Sequence, residues 1–339
     1  MVATLLSALP ASLASQESTT RSRLWPAAVA IYYGYPSLVN GASGDIDRAA
    51  ATFADYDVIV LGDGLQFPDV DPRRRPPGPG ADEHRRTRAI IARLRAQSPS
   101  SEVYGYIDLG SSQKLAIGEI ERRARLWSAM GVNGVFLDEA GFDFGVTRER
   151  QNAVIDLIHS LGLNALVNAF DPDDVFSAAP VALNSAGGGN PTGLPSRLGP
   201  QDGYLLESFQ VRLGQLESWS AWAARTEKAV AFRDRYRTRV FAITTTTTES
   251  ARDSTRLFRY AWWSAALWAL DGVGWGEPDF SAGNSELPAR HRLLDREALA
   301  GTRFVSPVAA TATGFERRTD AGTLVLDRRE QSGRFLRKP

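Results

Sequence analysis

The feature that most constrains the fold is a unit that recurs along the chain: a short apolar run, a break rich in Gly, Asp or Asn, and an amphipathic segment. Such alternation is typical of a parallel sheet with helices packed against it. The apolar runs are nearly continuous, as strands that are covered on both faces require. The sequence predicts eight strands, at Val29–Tyr35, Asp57–Gly62, Val103–Asp108, Gly134–Glu139, Asn164–Asn168, Gly203–Glu207, Arg239–Thr245 and Gly272–Gly276.

Helix-length segments follow these runs. In Ile117–Met130, the side chains of Ile120, Ala124 and Trp127 fall on one face of a helix, which is the stripe expected of a helix that lies on a sheet. Glycines directly after the third and fourth segments indicate helix C-caps. The predicted helices are Asp45–Ala54, Ala81–Ala96, Ile117–Met130, Thr147–Leu161, Gln215–Tyr236, Ser250–Leu270 and Glu286–Leu299.

Strands and helices that alternate in this number predict an α/β protein with a (β/α)8 barrel, the TIM-barrel fold, over residues 26–299. A doubly wound sheet is the main alternative, and the lack of a GxGxxG motif after the first run weakens its dinucleotide-binding version. Residues 300–339 fall outside the pattern. Short strands are predicted there at Arg303–Val308, Thr313–Arg318 and Thr323–Leu326, as a small C-terminal β extension that closes the barrel.

Residues 1–25 are predicted to form a leader. An apolar run over Met1–Ala14 ends in a small-x-small pattern that a signal peptidase could accept, but the first basic residue is Arg21. A signal peptide and a frayed leader therefore both stay open. We expect a secreted or cell-surface location, with a cytoplasmic one as the alternative. The later apolar stretch Phe258–Leu270 is too short to span a bilayer.

Charge and composition exclude several classes of function. The chain has 39 Lys+Arg and 39 Asp+Glu, so its net charge is zero, which argues against a nucleic-acid or anionic-membrane binder. It has no cysteine, which excludes disulfides and thiolate nucleophiles. The three histidines, His84, His159 and His291, do not fall at predicted strand ends, so a Ser-His-Asp triad or a histidine metal site lacks its base or ligand. We therefore expect no cofactor and no metal.

Carboxylates and an amide do fall at predicted strand ends, where barrel enzymes place their catalytic groups. A pair of carboxylates across one pocket is the minimum equipment for glycoside hydrolysis. An isolated acidic residue after a strand can instead cap the next helix. Strand alternation predicts that two consecutive acids, Asp138 and Glu139, do not both point inward. The candidates are Asp63, Asp108, Asp138, Glu139, Asn168, Glu207 and Glu277.

Aromatic residues are enriched in the same part of the pattern. Tyr33, Tyr106 and Trp275 are candidates for stacking on the apolar C–H faces of sugar rings. Packing in the barrel core is the alternative for each of them. These aromatic side chains and the strand-end polar groups together predict a polysaccharide or oligosaccharide partner.

Several of these segments resemble the spherulin-4 type barrels, which are related to the endo-α-1,4-polygalactosaminidases. The runs YGYIDLG at 104–110 and GVNGVFLDEAG at 131–141 are similar to the third- and fourth-strand motifs of that family. NALVNAF at 164–170, DGYLLESF at 202–209 and YYGYPS at 32–37 resemble its fifth, sixth and first strands. The fifth strand departs from the family where NAF stands in place of a common Pro-Gly, and the loop after the second strand is longer.

The resemblance implies a TIM-barrel glycoside hydrolase that cleaves an amino-sugar-containing polysaccharide without a metal. It also implies a retaining mechanism, in which the anomeric configuration is kept. Its proposed catalytic groups map onto Asp138, Glu139 and Glu207. We expect Glu207 to be the acid/base and Asp138 the nucleophile or its electrostatic partner, with the remaining strand-end and aromatic candidates contacting substrate. A non-catalytic carbohydrate-binding barrel and a glycosidase of different sugar specificity are the alternatives.

Overall fold

The computed structural model describes residues 24–68, 82–248, 254–287 and 300–338. The barrel has eight parallel strands: β1 (Ala27–Tyr32), β2 (Val58–Leu61), β3 (Glu102–Asp108), β4 (Gly134–Asp138), β5 (Asn164–Asn168), β6 (Gly203–Leu206), β9 (Arg239–Ile243) and β10 (Gly272–Gly274). They close in the order β1-β10-β9-β6-β5-β4-β3-β2. The pairing of β1 with β10 completes the ring, so the barrel prediction is confirmed and the open doubly wound sheet was the wrong alternative.

Helices cover the outside of the barrel and begin and end on local signals. Asp45 accepts a hydrogen bond from the Arg48 N–H at 3.0 Å and starts the first helix. Gly131 ends the third helix in the left-handed region with φ 89°, as its sequence position predicts. The helices are α1 (Ile46–Phe53), α2 (Glu83–Gln97), α3 (Ile117–Met130), α4 (Arg148–Ser160), α5 (Asp173–Phe176), α6 (Trp219–Tyr236) and α7 (Ser254–Leu267).

Two apolar cores follow from strand alternation. Every second side chain points into the barrel, and the others pack under the helices. In β3, for example, Tyr104 belongs to the core inside the barrel, while Val103 belongs to the larger core between strands and helices. A strand-end residue in step with the inner set therefore projects into the mouth of the barrel. The inner core consists of Val29, Ile31, Val58, Val60, Tyr104, Phe136, Leu166, Leu205, Phe241 and Ile243.

Two of the predicted helices are not observed over their full predicted length. The prediction that a helix begins at Gln215 is wrong, because β8 (Gln215–Leu216) pairs with β7 (Val211–Arg212) in a short hairpin. Gly214, with φ 76°, lies in the turn of this hairpin. Most of the predicted helix Glu286–Leu299 lies outside the described residues.

Among the described residues, no helix has the length and apolar character to cross a membrane.

The C-terminal segment forms a four-stranded antiparallel sheet, so a small β appendage is confirmed. Its strands are β11 (Ala309–Ala310), β12 (Gly314–Arg318), β13 (Gly322–Asp327) and β14 (Ser332–Arg337). The predicted strand Arg303–Val308 is wrong; Phe304 makes only an isolated bridge to Thr319. The polar sequence of β14 gave no apolar alternation from which to predict it.

The prediction that this sheet closes the barrel is wrong, because the pairing of β1 with β10 already closes it. It packs on the outer helices instead. Phe315 of β12 meets the ring of Trp268 at 4.9 Å and that of Trp222 at 6.1 Å. Gly333 of β14 lies so close to Trp263 of α7 that a Cβ there would come within 2.2 Å of the tryptophan side chain. The exact boundaries of the predicted segments 1–25, 26–299 and 300–339 stay a prediction.

Candidate active site

Three neighbouring strands place three polar side chains on the inner face of the barrel mouth. Asp138 ends β4, Asn168 ends β5, and Glu207 directly follows β6. Each stands two residues beyond an inner-core side chain and therefore shares its face. Those inner-core residues are Phe136, Leu166 and Leu205.

One amide joins the two acids. The Nδ2 atom of Asn168 donates to Oδ1 of Asp138 at 2.8 Å and to Oε2 of Glu207 at 2.6 Å. Because both oxygens lie on the same nitrogen, they are at most about 5.4 Å apart, which is below the roughly 6.5–9.5 Å between the carboxyls of inverting glycosidases and compatible with the roughly 5–5.5 Å of retaining ones. A single glycosidic linkage fits such a pair.

The Asp138 carboxyl is held in the wall of the barrel. Burial raises its pKa, and this effect outweighs the hydrogen bonds that favour the ionised form. Those bonds come from Asn168, from the backbone N–H of Glu139 at 3.0 Å and from the Tyr106 hydroxyl. The groups that hold Asp138 are therefore neutral donors.

The Glu207 carboxyl has a similar environment. Burial raises its pKa, the hydrogen bond from Asn168 lowers it, and the charge of Asp138 raises it again. The positive charges of Arg225 and Arg212 act in the lowering direction without outweighing burial. Since ionising one acid makes it harder to ionise the other, the pair can hold a proton on one member while the other is a carboxylate.

Glu139 is turned away from this pair. Its backbone has φ 53°, in the left-handed region that a non-glycine residue seldom occupies. The side chain accepts hydrogen bonds from the Ser112 N–H at 3.0 Å and from the Ser112 hydroxyl. Gly110 permits this approach, because a Cβ there would lie 2.6 Å from that of Glu139. The prediction of a catalytic role for Glu139 stays open, and its observed contacts are those of a side chain that positions the loop after β3.

Asp108 stands beside Asp138 as its partner in the register of β3 and β4. It is only 1% exposed. Burial, followed by the charges of Glu139 and Asp138, raises its pKa to about 6. Backbone N–H groups of Gly110 and Gln113 donate to the carboxyl, whereas its Oδ1 atom has no hydrogen-bond partner among the described residues.

Tyr33 and Tyr106 line the same mouth. Their rings meet edge to face, with centroids 5.4 Å apart. Burial, with the nearby charge of Asp138, raises the pKa of both hydroxyls, and Glu207 adds to this effect on Tyr33. Both tyrosines are half-buried, so the structure brings them to the acid pair with part of each side chain open to a ligand.

Three predicted site residues are placed differently. The prediction for Trp275 needs correction: it is 4% exposed and packs edge-on against Phe258 of α7 at 6.1 Å, in the core outside the barrel. An indole without an open face has no room for a sugar. Asp63 is drawn to Arg123 of α3, which donates to both of its carboxylate oxygens at 3.1 Å. Glu277 lies half-buried where the chain enters a short 3-10 turn.

Sequence reasoning missed two groups next to Glu207. Arg225 of α6 donates to the backbone oxygens of Glu207 and Ser208, at 3.0 and 3.1 Å, and so fixes the turn after β6. Phe170 lies two residues beyond Asn168 with its ring partly open to solvent. An arginine within a helix has no periodic signature of such a role. Gly214 is a turn signal, and a hairpin predicted from it would have indicated that this region is not the start of a helix.

The site contains oxygen donors of the kind that bind hard cations. Among the described residues, however, no group of three or more His, Asp or Glu side chains is arranged to hold a metal ion.

Fold and site together define a (β/α)8 barrel with a half-buried acid pair at the carboxyl ends of β4 and β6. No family model and no curated protein matches the chain. Among solved structures, it is similar to the glycoside hydrolase domain of PelA from Pseudomonas aeruginosa, with 14% identity, a TM-score of 0.42, and coverage of 79% of this chain and 97% of that one.

A malate synthase from Haloferax volcanii is similar to the same degree, with 11% identity, a TM-score of 0.45, and coverage of 84% of this chain and 77% of that one. These two barrels differ in activity, so the comparison selects neither activity for this chain. The resemblance to the spherulin-4 type barrels stays a prediction. The site geometry carries the argument for function.

Proposed function

We propose that this protein is a retaining glycoside hydrolase that cleaves an O-glycosidic bond of a polysaccharide with Glu207 and Asp138. The observation that carries the proposal is the Asn168 amide, which donates to both carboxyls and keeps their nearest oxygens within the span of one linkage. Burial of both acids supports it, because a general acid must hold a proton near neutral pH.

Each acid has a defined part in the reaction. Glu207 gives its proton to the glycosidic oxygen while an Asp138 oxygen attacks the anomeric carbon, so the C–O bond breaks and a glycosyl ester forms on Asp138. Glu207, now a carboxylate, then takes a proton from water as the water oxygen attacks the same carbon. The ester bond breaks, Asp138 leaves as a carboxylate, and the second inversion restores the original configuration.

The remaining groups hold this pair in place. Asn168 is a positioning residue, since its two N–H groups fix both carboxyls and favour the ionised form of whichever acid has lost its proton. Tyr106 donates to Asp138 and helps to orient it. Tyr33 and Tyr106 also offer ring surface to a sugar at the mouth.

The acidic mouth suggests a substrate class. Asp108, Asp138, Glu139 and Glu207 all face or flank it, so a sugar that carries an ammonium group is attracted there and one that carries a carboxylate is repelled. An amino-sugar-containing polysaccharide fits this charge and agrees with the family resemblance. Such a substrate also accords with the predicted secreted or cell-surface location.

A substrate screen tests the proposal. Purified protein is incubated with amino-sugar, neutral and acidic polysaccharides, and new reducing ends are measured alongside the Asp138→Asn and Glu207→Gln variants. Glu121→Gln, an exposed carboxylate of α3 paired with Arg125, is the matched control. We expect turnover of at least one polysaccharide that both site variants lose and the control retains. Binding without any new reducing end would favour the non-catalytic carbohydrate-binding barrel.

A further inference from the structure

An aromatic and cationic surface flanks the acid pair on the β5–β6 side. Phe170, two residues beyond Asn168, is 41% exposed. The guanidinium of Arg225 lies 4.3 Å from its ring centroid, and that of Arg212 lies 5.0 Å from it. We refer to Phe170 and Arg212 as the Phe170–Arg212 platform.

The two arginines differ in what holds them. Arg225 is fixed by Glu217 at 2.9 Å and by the backbone oxygens after β6, so both of its terminal nitrogens already donate within the protein. Arg212 is exposed on the β7–β8 hairpin. Among the described residues, no carboxylate makes an ion pair with it. Its guanidinium therefore presents free donors to the solvent beside an open ring.

Arg212 is also close enough to the acid pair to affect the pKa of Glu207. Its positive charge acts on the Glu207 carboxyl and opposes the effect of burial. The hairpin that carries it leaves the barrel directly after Glu207, and Phe170 follows the strand that carries Asn168. A glycan that reaches from the acid pair toward β5 and β6 would meet this platform next.

We propose that the Phe170–Arg212 platform is a flanking subsite for a sugar that bears a carboxylate. The C–H face of the sugar packs on the Phe170 ring, and the carboxylate accepts two parallel hydrogen bonds from the Arg212 guanidinium. Arginine suits this task because its planar fork matches a carboxylate and stays charged.

The two charge environments then assign a pattern to the glycan. The acid pair disfavours a carboxylate on the sugar at the scissile bond, and the platform favours one on its neighbour. The substrate class is thus a polysaccharide in which an amino sugar, free or acylated, adjoins an acidic sugar. This inference rests on the proposed function for its glycan, but binding can be measured without turnover.

The test uses the full chain as the Glu207→Gln variant, which cannot supply the proton. The probes are an unsulfated chondroitin hexasaccharide, in which glucuronate alternates with N-acetylgalactosamine, and the same hexasaccharide with its carboxyls reduced to alcohols. We expect calorimetry to show about tenfold tighter binding of the carboxylate form, the effect of one charge-assisted contact. Arg212→Ala in this background should remove the difference.

The control is Arg235→Ala in the same background. Arg235 is likewise exposed, and its guanidinium lies 5.7 Å from the centroid of an aromatic ring, that of Tyr236. It is at the C-terminal end of α6, whereas Arg212 is on β7. Equal binding of both hexasaccharides, or an unchanged preference in Arg212→Ala, would overturn the inference. Preferential binding that depends on Arg212, combined with no turnover by the unmodified protein, would refute the proposed function and leave the subsite standing.

Discussion

Both ends of the barrel interior contain carboxylates, but the partners of these carboxylates differ between the two ends. At the amino end, Glu102 of β3 receives two hydrogen bonds from Arg239 of β9, at 2.5 and 2.9 Å. Tyr104 donates to the same carboxylate at 2.6 Å and accepts from Arg239 at 2.8 Å. The negative charge is fully partnered, and the network joins two strands that are far apart in sequence.

At the carboxyl end, no described cation makes an ion pair with Asp138 or Glu207. A neutral amide joins them instead, and burial raises the pKa of both. A partnered carboxylate contributes to closing the barrel, whereas an uncompensated one costs stability and gains the ability to exchange a proton. Under the proposed function, the partnered end serves structure and the uncompensated end serves chemistry.

The largest expected effect is on the uncompensated pair. Asp138→Asn and Glu207→Gln should each lower kcat/KM by about 10³–10⁴-fold, because nucleophile or acid is lost. The free energy of unfolding should stay the same or increase, since an unfavourable buried charge is removed. Kinetics and thermal unfolding of the same samples check both statements. A loss of stability that parallels the loss of activity would show that these acids are structural.

The partnered end should respond the other way. Arg239→Met is expected to lower the free energy of unfolding by about 3 kcal/mol, because Glu102 is left without its cation in a half-buried place. Turnover of the folded fraction should change less than about twofold. Arg125→Met, which removes an exposed partner of Glu121, should cost under about 0.5 kcal/mol. Denaturant titration at 25 °C measures each, and equal effects of the two variants would contradict the contrast.

The third prediction concerns the Asn168 amide that joins the two acids. Asn168→Ala should lower kcat/KM by about 10–100-fold, since both carboxyls lose a positioning hydrogen bond. That bond favours the ionised forms, so its loss raises the pKa of both acids and moves the acidic limb of the pH–rate profile to higher pH. Asn164→Ala, at the other end of β5, is the control and should leave the profile in place. A profile that does not move in Asn168→Ala would argue against the shared amide.

The last expected effect is on stability alone and concerns Asp108. Its pKa is about 6 in the folded protein against an ordinary 3.8, so the folded state binds this proton more tightly than the unfolded state. The stabilisation is complete below pH 3.8 and is lost as the pH rises through about 6. As the pH rises from 4 to 7.5, the free energy of unfolding of Asp108→Asn should therefore gain up to about 3 kcal/mol relative to that of the unmodified protein. Melting curves across this range check it, and a constant difference between the two proteins would contradict the assignment.

Strand alternation explains both what the sequence predicted and one of its failures. Asp138, Asn168 and Glu207 follow inner-core residues in step, so their common placement could be inferred before the structure was known. The same rule puts Trp275 on the outer face with Val273, because β10 aligns Gly274 with Val29 of the inner core. Its prediction as a sugar-binding residue did not apply that alternation.

Other features depend on contacts between distant segments. Arg123 captures Asp63 from 60 positions along the chain, and no local pattern predicts such a pair. Arg212 lies on a short hairpin, whose two-residue ladder occupies what the sequence predicts as the start of a helix. Turn chemistry there outweighs helical periodicity, and single-sequence reasoning weighs these two signals poorly over short spans.

The most direct test of the account is to titrate the carboxyls themselves, which requires no substrate. Carbon-13 NMR of protein labelled at the Asp and Glu carboxyls would follow Asp138 and Glu207, each assigned by its amide variant. Glu119, whose pKa Arg122 and Arg123 lower to about 2, provides an opposite reference in the same sample. We predict that Asp138 and Glu207 titrate above the ordinary range of their residue types, in coupled steps. If both instead titrate within or below that range, the pair holds no proton for catalysis and the proposed function is contradicted.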